Sequence, residues 1–173
     1  IFCCSGNDYR VRKKVIYRRK FKPSAALLED LNLYLDNSLY PVKTGKHIER
    51  RPGMVNYSIV GRNATPHQRS EYAAWDARHL EREDIVDYIK TSHPELDVAI
   101  GGAVSVDIYP QGHDKSQVVD YLRGRYDEEV RFIFIGDKTT PGGNDYPLAM
   151  KLEEDENSHW RQVNSPAETE ALI

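Results

Sequence analysis

The chain has 173 residues, of which 39% are hydrophobic and 29% are charged, so we expect one folded domain or two small ones rather than a disordered chain. The formal net charge of −3 gives no overall attraction to nucleic acid, and no apolar run is long enough to span a bilayer. Neither nucleic acid nor a membrane is therefore expected as a partner. The two cysteines are adjacent, at Cys3 and Cys4, without CxxC or Cys/His spacing, which favours a reduced intracellular compartment.

The first sixty residues predict short strands and one helix. A short strand over residues 2–5 leads into two strands with a basic turn in YRVRKKVIYRRKF. The segment KPSAALLEDLNLYLDNS predicts a helix with Ser24 as its cap and an apolar face of Leu27, Leu28, Leu31 and Leu35. The segment HIERRPGMVNYSIVG predicts two strands broken at Pro52-Gly53, and the second of them has one partly polar face.

The order of the remaining elements changes from an α+β pattern to an α/β pattern near residue 110. Thr65-Pro66 opens a helical pattern that continues to about Thr91, with room for a break. Two strands then surround Gly101-Gly102 in LDVAIGGAVSVDIYP, and DKSQVVDYLRGRY predicts a helix capped by Asp114. VRFIFIGD is typical of a parallel strand covered on both faces, followed by an acidic loop, a strand (WRQV) and a helix (PAETEALI). We therefore predict an α+β domain up to about residue 108 and an α/β domain after it.

The segment GDKTTPGGND, residues 136–145, places acids and glycines directly after the apolar strand. Ligands of open parallel sheets bind beyond the carboxyl ends of the strands, so Asp137 is well placed to bind a divalent cation. Gly142-Gly143 would allow close approach of the backbone, and Asn144-Asp145 offers further oxygen ligands. An ordinary glycine-rich turn with solvated acids is the alternative interpretation.

Cationic residues mark two further places. Lys115 opens a predicted helix, where the helix dipole favours anions, so a negative ligand is one interpretation and a solvated lysine is the other. Arg51, Arg62 and Arg69 lie at a strand end, in a loop and in a first helical turn, which can converge on phosphate oxygens. Ser105 and Asp107 alternate on one strand face and can bind a sugar or simply close a strand end.

Three of these segments, GRNATPHQR, IGGAVSVDIYPQGHDKSQ and FIFIGDKTTPGGND, resemble the eukaryotic-type phosphomannomutases of the haloacid dehalogenase (HAD) superfamily. Their order and spacing also match, from CSGND to NSPAET. The resemblance implies an α/β fold, with a partial HAD-like parallel core and an inserted α+β cap domain on an antiparallel sheet. It divides the chain into the end of a first core segment (1–7), the cap (8–108) and the C-terminal core (109–173).

The same resemblance implies roles for individual residues. Mg²⁺ would be bound by Asp137 with support from Asp145, and Lys115 would balance charge on a phosphorylated nucleophile. The three arginines would hold the phosphate that is not being transferred. Residues Asn56, Ser105 and Asp107 would line the sugar cleft.

The implied reaction interconverts mannose 6-phosphate and mannose 1-phosphate through a phosphoaspartate and a hexose bisphosphate, within the mannose metabolism that supplies GDP-mannose. A cytoplasmic homodimer formed through the cap is expected. The family's DxDGT nucleophile motif does not occur in this sequence, so we expect the chain alone to be inactive and its first core segment to be missing. The segment YPLAMKLEED also departs from the Phe-x-Asp pattern associated with a second ion site.

Two alternatives remain open from the sequence. A HAD sugar-phosphate phosphatase could carry the same type of cap, although three cap arginines exceed what a simple phosphatase needs. A non-catalytic sugar-phosphate-binding fragment is the other alternative. Dependence on a sugar bisphosphate activator separates a mutase from a phosphatase, and ligand binding without turnover in a full-length protein would indicate the fragment.

Overall fold

The computed structural model describes residues 1–173 as nine strands and six helices in three sheets. The strands are β1 (Phe2–Cys3), β2 (Asp8–Val11), β3 (Lys14–Arg18), β4 (Ile48–Arg51), β5 (Met54–Tyr57), β6 (Leu96–Gly101), β7 (Ser105–Pro110), β8 (Ile133–Gly136) and β9 (His159–Gln162). The helices are α1 (Ala25–Asn37), α2 (Pro66–His79), α3 (Glu81–Ser92), α4 (Gln117–Arg123), α5 (Tyr146–Glu153) and α6 (Pro166–Glu170). The predicted α/β fold class, with an antiparallel sheet and a separate parallel part, is confirmed.

The first sheet is antiparallel, with the strand order β1-β2-β3. One of its faces carries Phe2, Tyr9 and Tyr17, and their rings pack on one another and on Tyr121 of α4, with centroids 4.3–5.9 Å apart. Such aromatic contacts add to the stabilisation that comes from burying their surface. The first sheet is therefore attached to the C-terminal part of the chain.

The second sheet has the strand order β4-β5-β7-β6 and is antiparallel throughout. Its inner face packs against the helices α1–α3 in a hydrophobic core of 17 buried residues, which includes Val55, Tyr57, Val106 and Ile108. Successive residues of a strand point to opposite faces, so the polar side chains of β5 and β7 fall on the other face. The alternation noted in the sequence thus separates a core face from a polar face.

Local capping explains where the helices around this sheet begin. The Ser24 hydroxyl accepts a hydrogen bond from the Leu27 N–H at 3.1 Å, and Thr65 forms a capping box with Gln68 at the start of α2. The predicted break is confirmed at Leu80, which has φ +56° and separates α2 from α3. The Asp76 carboxylate accepts from the backbone and side chain of Arg82, at 2.9 and 2.7 Å, and so joins the two helices across this break.

In the C-terminal part, β8 and β9 pair in parallel, and Val119, Leu148 and Leu152 form a small core beside them. The prediction that the apolar strand is covered on both faces is wrong, because Ile133 is 73% exposed. The physical reason is that β8 has only one neighbouring strand, so its apolar side chains are covered incompletely.

Two details at the C-terminal end also differ from prediction. Helix α5 was not predicted, although Pro147 in its first turn is a typical helix-start signal. The expected cap of α4 is displaced: the Asp114 carboxylate accepts from the Ser116 N–H at 2.7 Å, and the helix begins at Gln117. No helix has the length and apolar character required to cross a membrane.

Candidate functional site

The loop after β8 is a tight turn fixed by Asp145. The Asp145 N–H donates to the Lys138 carbonyl at 3.0 Å, and the Lys138 N–H donates back to the Asp145 carboxylate at 3.1 Å. A Cβ on Gly143 would lie 2.3 Å from the Lys138 carbonyl oxygen, and a Cβ on Gly136 would lie 2.8 Å from the Asp145 carboxylate. Both positions therefore require glycine for the observed turn, which explains part of the GDKTTPGGND pattern.

Lys115 joins this loop from the segment that precedes α4. Its ammonium donates to the second oxygen of Asp145, whose side chain is almost fully buried. A buried carboxylate is costly unless it is paired and hydrogen-bonded, and here it has both kinds of partner. The lysine and the carboxylate are thus held together beyond the carboxyl end of β8.

Asp137, in contrast, is exposed and forms no hydrogen bond or ion pair with the rest of the chain. Together with Lys115 and Asp145 it lines an open cavity of about 650 Å³, which residues 163–166 also line. The chain contains no group of three or more His, Cys, Asp or Glu side chains arranged to hold a metal ion. Mg²⁺ commonly takes only one or two protein carboxylates and fills its other positions with water or phosphate oxygens, so the free carboxylate of Asp137 fits such a share of the ligands.

The polar face of the second sheet carries Asn56, Ser105 and Asp107. Asn56 lies opposite Asp107 in register, and its amide donates to the Asp107 carboxylate at 2.7 Å. The amide oxygen of Asn56 is buried and has no hydrogen-bond partner, an arrangement that costs free energy unless a ligand supplies a donor. Ser105 is turned to the Gly101 carbonyl, to which its hydroxyl donates at 2.7 Å.

Two of the three arginines predicted to converge share the carboxylate of Glu49. The Glu49 carboxylate accepts from the Nε of Arg51 at 2.7 Å and lies 3.4 Å from the Nε of Arg62. The Arg69 guanidinium donates to the carbonyls of Arg62 and Ala64, at 3.2 and 3.1 Å. Arg51 and Arg62 thus share one carboxylate, and Arg69 is bonded to the backbone of Arg62; we call these three residues the arginine cluster (Arg51, Arg62 and Arg69).

Glu49 is the site residue that the sequence analysis missed. It lies two residues before Arg51 on the same strand, so both side chains fall on one face, and it lies directly opposite Asn56. The sequence pattern that could have identified Glu49 is an acid two residues before an arginine in a strand, which places both side chains on one face. Glu49 thereby connects the arginine cluster to the Asn56–Asp107 pair in one row across the sheet.

The arginine cluster and the Lys115–Asp137–Asp145 group belong to neighbouring parts of the chain. The Ile100 N–H of β6 donates to the Gly142 carbonyl at 3.2 Å, which ties the second sheet to the loop after β8. None of the three arginines lines the cavity at Asp137. Cys4 packs on Met54, Ala99 and Tyr109 at the polar face, and burial raises the pKa of its thiol, so it is a neutral neighbour there.

Comparison with known protein families gives one clear result. A family model described as eukaryotic phosphomannomutase matches residues 24–173. The phosphomannomutase of Drosophila melanogaster is 34% identical over 143 residues, which cover 81% of this chain and 54% of that protein. The phosphomannomutase of Solanum lycopersicum is 39% identical over 139 residues, which cover 79% of this chain and 52% of that protein. The chain thus spans about half the length of the curated relatives it matches.

Solved structures show a more distant likeness. The sucrose-phosphatase of Synechocystis sp. PCC6803, in complex with sucrose and phosphate, has a TM-score of 0.43 at 14% identity and covers 97% of this chain and 71% of that one. A Plasmodium falciparum IMP-nucleotidase with bound IMP has a TM-score of 0.47 at 14% identity and covers 88% of this chain and 38% of that one. Because both TM-scores lie below 0.5, no inference about function follows from this likeness.

Proposed function

Because the chain belongs to the eukaryotic phosphomannomutase family, we propose that it forms the cap and part of the core of a phosphohexomutase that interconverts mannose 6-phosphate and mannose 1-phosphate. Residues 109–173 are assigned to the core. The packing of Tyr9 and Tyr17 on Tyr121 supports assigning the first sheet to the core as well, which moves the start of the cap from residue 8 to about residue 20.

The observation that carries this proposal is the arginine cluster. Arg51 and Arg62 are oriented by one carboxylate, so their guanidinium groups are ordered before a ligand arrives. Guanidinium groups match phosphate oxygens in both geometry and charge. The cluster is therefore suited to hold the phosphate of a hexose phosphate that is not being transferred.

The Asn56–Asp107 pair supports recognition of the sugar beside that phosphate. Asp107 accepts from Asn56 through one oxygen, and the buried Asn56 amide oxygen lacks a donor. A sugar hydroxyl supplies such a donor, and its binding would satisfy an atom that is otherwise left unpaired. Ser105, two residues from Asp107 on the same strand face, is the third polar group in this row.

In the core, Asp137 would hold Mg²⁺, and Asp145 would support the site through its contacts with Lys115 and Lys138. A bound Mg²⁺ supplies charge neutralisation for the transferring phosphoryl group. Lys115 adds one positive charge, fixed in place by Asp145. The ion pair with the buried Asp145 carboxylate also keeps the ammonium oriented, so that the ammonium need not reorganise during the reaction.

Replacing Asp137 with asparagine is expected to remove divalent-cation binding while leaving the fold unchanged, because Asp137 is exposed and holds nothing else in place. Mn²⁺, used as a paramagnetic probe in NMR, should broaden the amide signals of Gly136 and Lys138 in the unmodified chain and not in Asp137→Asn. The matched control is Asp114→Asn, at another acid beside the same lysine. Equal broadening in Asp137→Asn and the unmodified chain would refute the metal assignment.

The reaction also needs groups that these residues do not supply. No DxDGT motif occurs in the chain, so these residues do not supply the aspartate that would carry the phosphoryl group in the proposed reaction. We propose that this chain supplies the phosphate clamp, the sugar contacts, the carboxylate that binds Mg²⁺ and the lysine that balances charge. A cytoplasmic homodimer formed through the cap completes the proposal.

Calorimetric titration of the chain tests this function at the level of recognition. Mannose 6-phosphate and mannose 1-phosphate are expected to bind, while mannose without phosphate and inorganic phosphate without sugar should each bind much more weakly. Equal affinity for inorganic phosphate and mannose 6-phosphate would contradict the sugar contacts. In a protein that also has the nucleophile, activation by a hexose bisphosphate would favour the mutase over a phosphatase.

Substitution of Glu49 gives a sharper test, because a purely electrostatic argument and a positioning role predict opposite changes in the affinity for mannose 6-phosphate. Removing its negative charge should by Coulomb's law strengthen the binding of an anion. If Glu49 orders the cluster, Glu49→Ala should instead weaken mannose 6-phosphate binding by about tenfold, equivalent to about 1.4 kcal/mol. Glu49→Gln keeps an acceptor for Arg51 and should recover part of the affinity. Tighter binding in Glu49→Ala would overturn the positioning role.

A further inference from the structure

The segment from Arg10 to Lys22 has an unusual charge for this chain. It contains eight lysines and arginines and no acid, in a protein whose net charge is −3. The family model matches residues 24–173, so the basic segment lies before the matched range. We call residues 8–22 the basic hairpin, since they contain β2, β3 and the basic residues that follow them.

The basic hairpin projects its cations into solvent at the edge of the first sheet. β3 is the outermost strand, with β2 on one side and no strand on the other. Lys13 and Lys14 lie exposed at the turn, which Arg12 enters with φ +54°. Charged side chains on an edge strand keep it from pairing with other chains. The two lysines at the turn already serve that purpose, so protection of the edge does not explain the other cations.

A buried acid orders part of this charge. The Asp8 carboxylate, only 2% exposed, accepts from Arg10 at 2.6 Å and from Arg18 at 3.1 Å. These hydrogen bonds, with that from Arg10 the strongest, lower the pKa of Asp8, so it stays ionised and both guanidinium groups stay on one face. One carboxylate cannot neutralise eight cations, and the hairpin therefore presents a fixed positive surface.

The uncharged side chains of the hairpin indicate the kind of polyanion. Single-stranded nucleic acid needs free aromatic faces on which bases stack, but Tyr9 and Tyr17 are packed against Phe2 and Tyr121. The exposed apolar residues of the hairpin are aliphatic, namely Val11, Val15 and Ile16, each 40–46% exposed. Cations next to short aliphatic side chains suit an anionic phospholipid surface, which offers phosphate groups and an apolar boundary together.

We propose that the basic hairpin is a peripheral docking site for an anionic phospholipid surface. Each lysine or arginine near such a surface contributes about 1 kcal/mol, and the attraction decays within a Debye length. The expectation from composition, that no membrane is a partner, rested on the charge averaged over the whole chain, whereas this proposal rests on one local segment. The hairpin packs on α4 through Tyr9 and Tyr17 and on the core of the second sheet through Phe21, and none of its residues bonds to the arginine cluster.

Vesicle sedimentation of the whole chain tests this proposal. The protein should sediment with vesicles of equal parts phosphatidylserine and phosphatidylcholine, should stay in solution with phosphatidylcholine alone, and should be released by high salt. The double substitution Lys13→Glu with Lys14→Glu should reduce binding at least tenfold. The control, Arg78→Glu with Lys90→Glu on α2 and α3, makes the same change in net charge at exposed positions and should bind as before.

Two further comparisons distinguish lipid docking from RNA binding and from a general effect of net charge. Replacing Val15 and Ile16 by serine should weaken vesicle binding without changing binding to a single-stranded RNA oligonucleotide. If the RNA binds more tightly than the vesicles, or if the control loses binding as much as the turn variant, the lipid proposal is overturned. Circular dichroism and unchanged mannose 6-phosphate affinity show that a variant is folded, and they separate this test from that of the proposed mutase function.

Discussion

Replacing Arg62 with alanine is expected to weaken mannose 6-phosphate binding by about tenfold to about a hundredfold. The range follows from about 1.5–3 kcal/mol for a hydrogen bond to a charged group, at about 1.4 kcal/mol per tenfold change in affinity. Arg62 lies in the loop between β5 and α2 and shares Glu49 with Arg51, so its loss removes one of the two guanidinium groups that this carboxylate orients. Calorimetric titration with mannose 6-phosphate measures the change.

The matched control for this substitution is Arg78→Ala. Arg78 is an exposed arginine in the last turn of α2, where it donates only to the Ala74 carbonyl of its own helix. Its removal changes the net charge as much as removal of Arg62 does, but it should leave the affinity unchanged. Equal affinities for Arg62→Ala, Arg78→Ala and the unmodified chain would refute a phosphate clamp at the arginine cluster.

Gly61→Ala is expected to destabilise the protein by about 3 kcal/mol or more. A Cβ at this position would lie 1.8 Å from the Thr44 carbonyl oxygen, and the backbone has φ +81°, which favours glycine. Thr44 cannot easily move away, because its N–H and hydroxyl both donate to the Val60 carbonyl, at 3.0 and 2.7 Å. Urea unfolding followed by circular dichroism measures the loss in free energy of unfolding.

Gly102→Ala separates the two causes of that loss. Gly102 has a positive φ of +57°, but a Cβ there would meet no atom within 4 Å. Gly102→Ala should therefore lower the free energy of unfolding only through backbone strain, by about 1 kcal/mol. Because Gly61 directly precedes Arg62, Gly61→Ala should also weaken mannose 6-phosphate binding, whereas Gly102→Ala should not. Equal destabilisation by the two substitutions would show that the contact with Thr44 is unimportant.

Local chemistry in the sequence predicted the helices of the middle region well. Ser24 and Thr65 cap the helices that they were expected to cap, and Leu27 and Leu31 are fully buried on the predicted face. These predictions succeeded because a cap and a helix face depend on residues within one or two turns. The break at Leu80 was expected only as a possibility, since a leucine with positive φ leaves no sequence signal.

Features that depend on distant parts of the chain were harder to predict. The exposure of Ile133 follows from the number of strands beside β8, which an apolar run does not specify. Glu49 resembles an ordinary surface acid in the sequence, and its contact with Arg62 exists only because a strand and a loop thirteen residues apart meet. The roles assigned to Lys115, Asp137 and Asp145 came from the family resemblance and stay predictions, although the structure places the three side chains around one cavity.

An NMR titration of the chain with mannose 6-phosphate, followed through its side-chain signals, tests whether the arginine cluster and Asn56 bind one hexose phosphate together. We expect the Nε–H signals of Arg51 and Arg62 and the side-chain amide signals of Asn56 to shift together and saturate at one concentration, while the Nε–H signal of Arg78 stays unchanged. Saturable binding that shifts other signals and leaves those of Arg51, Arg62 and Asn56 unchanged would show that the hexose phosphate binds elsewhere.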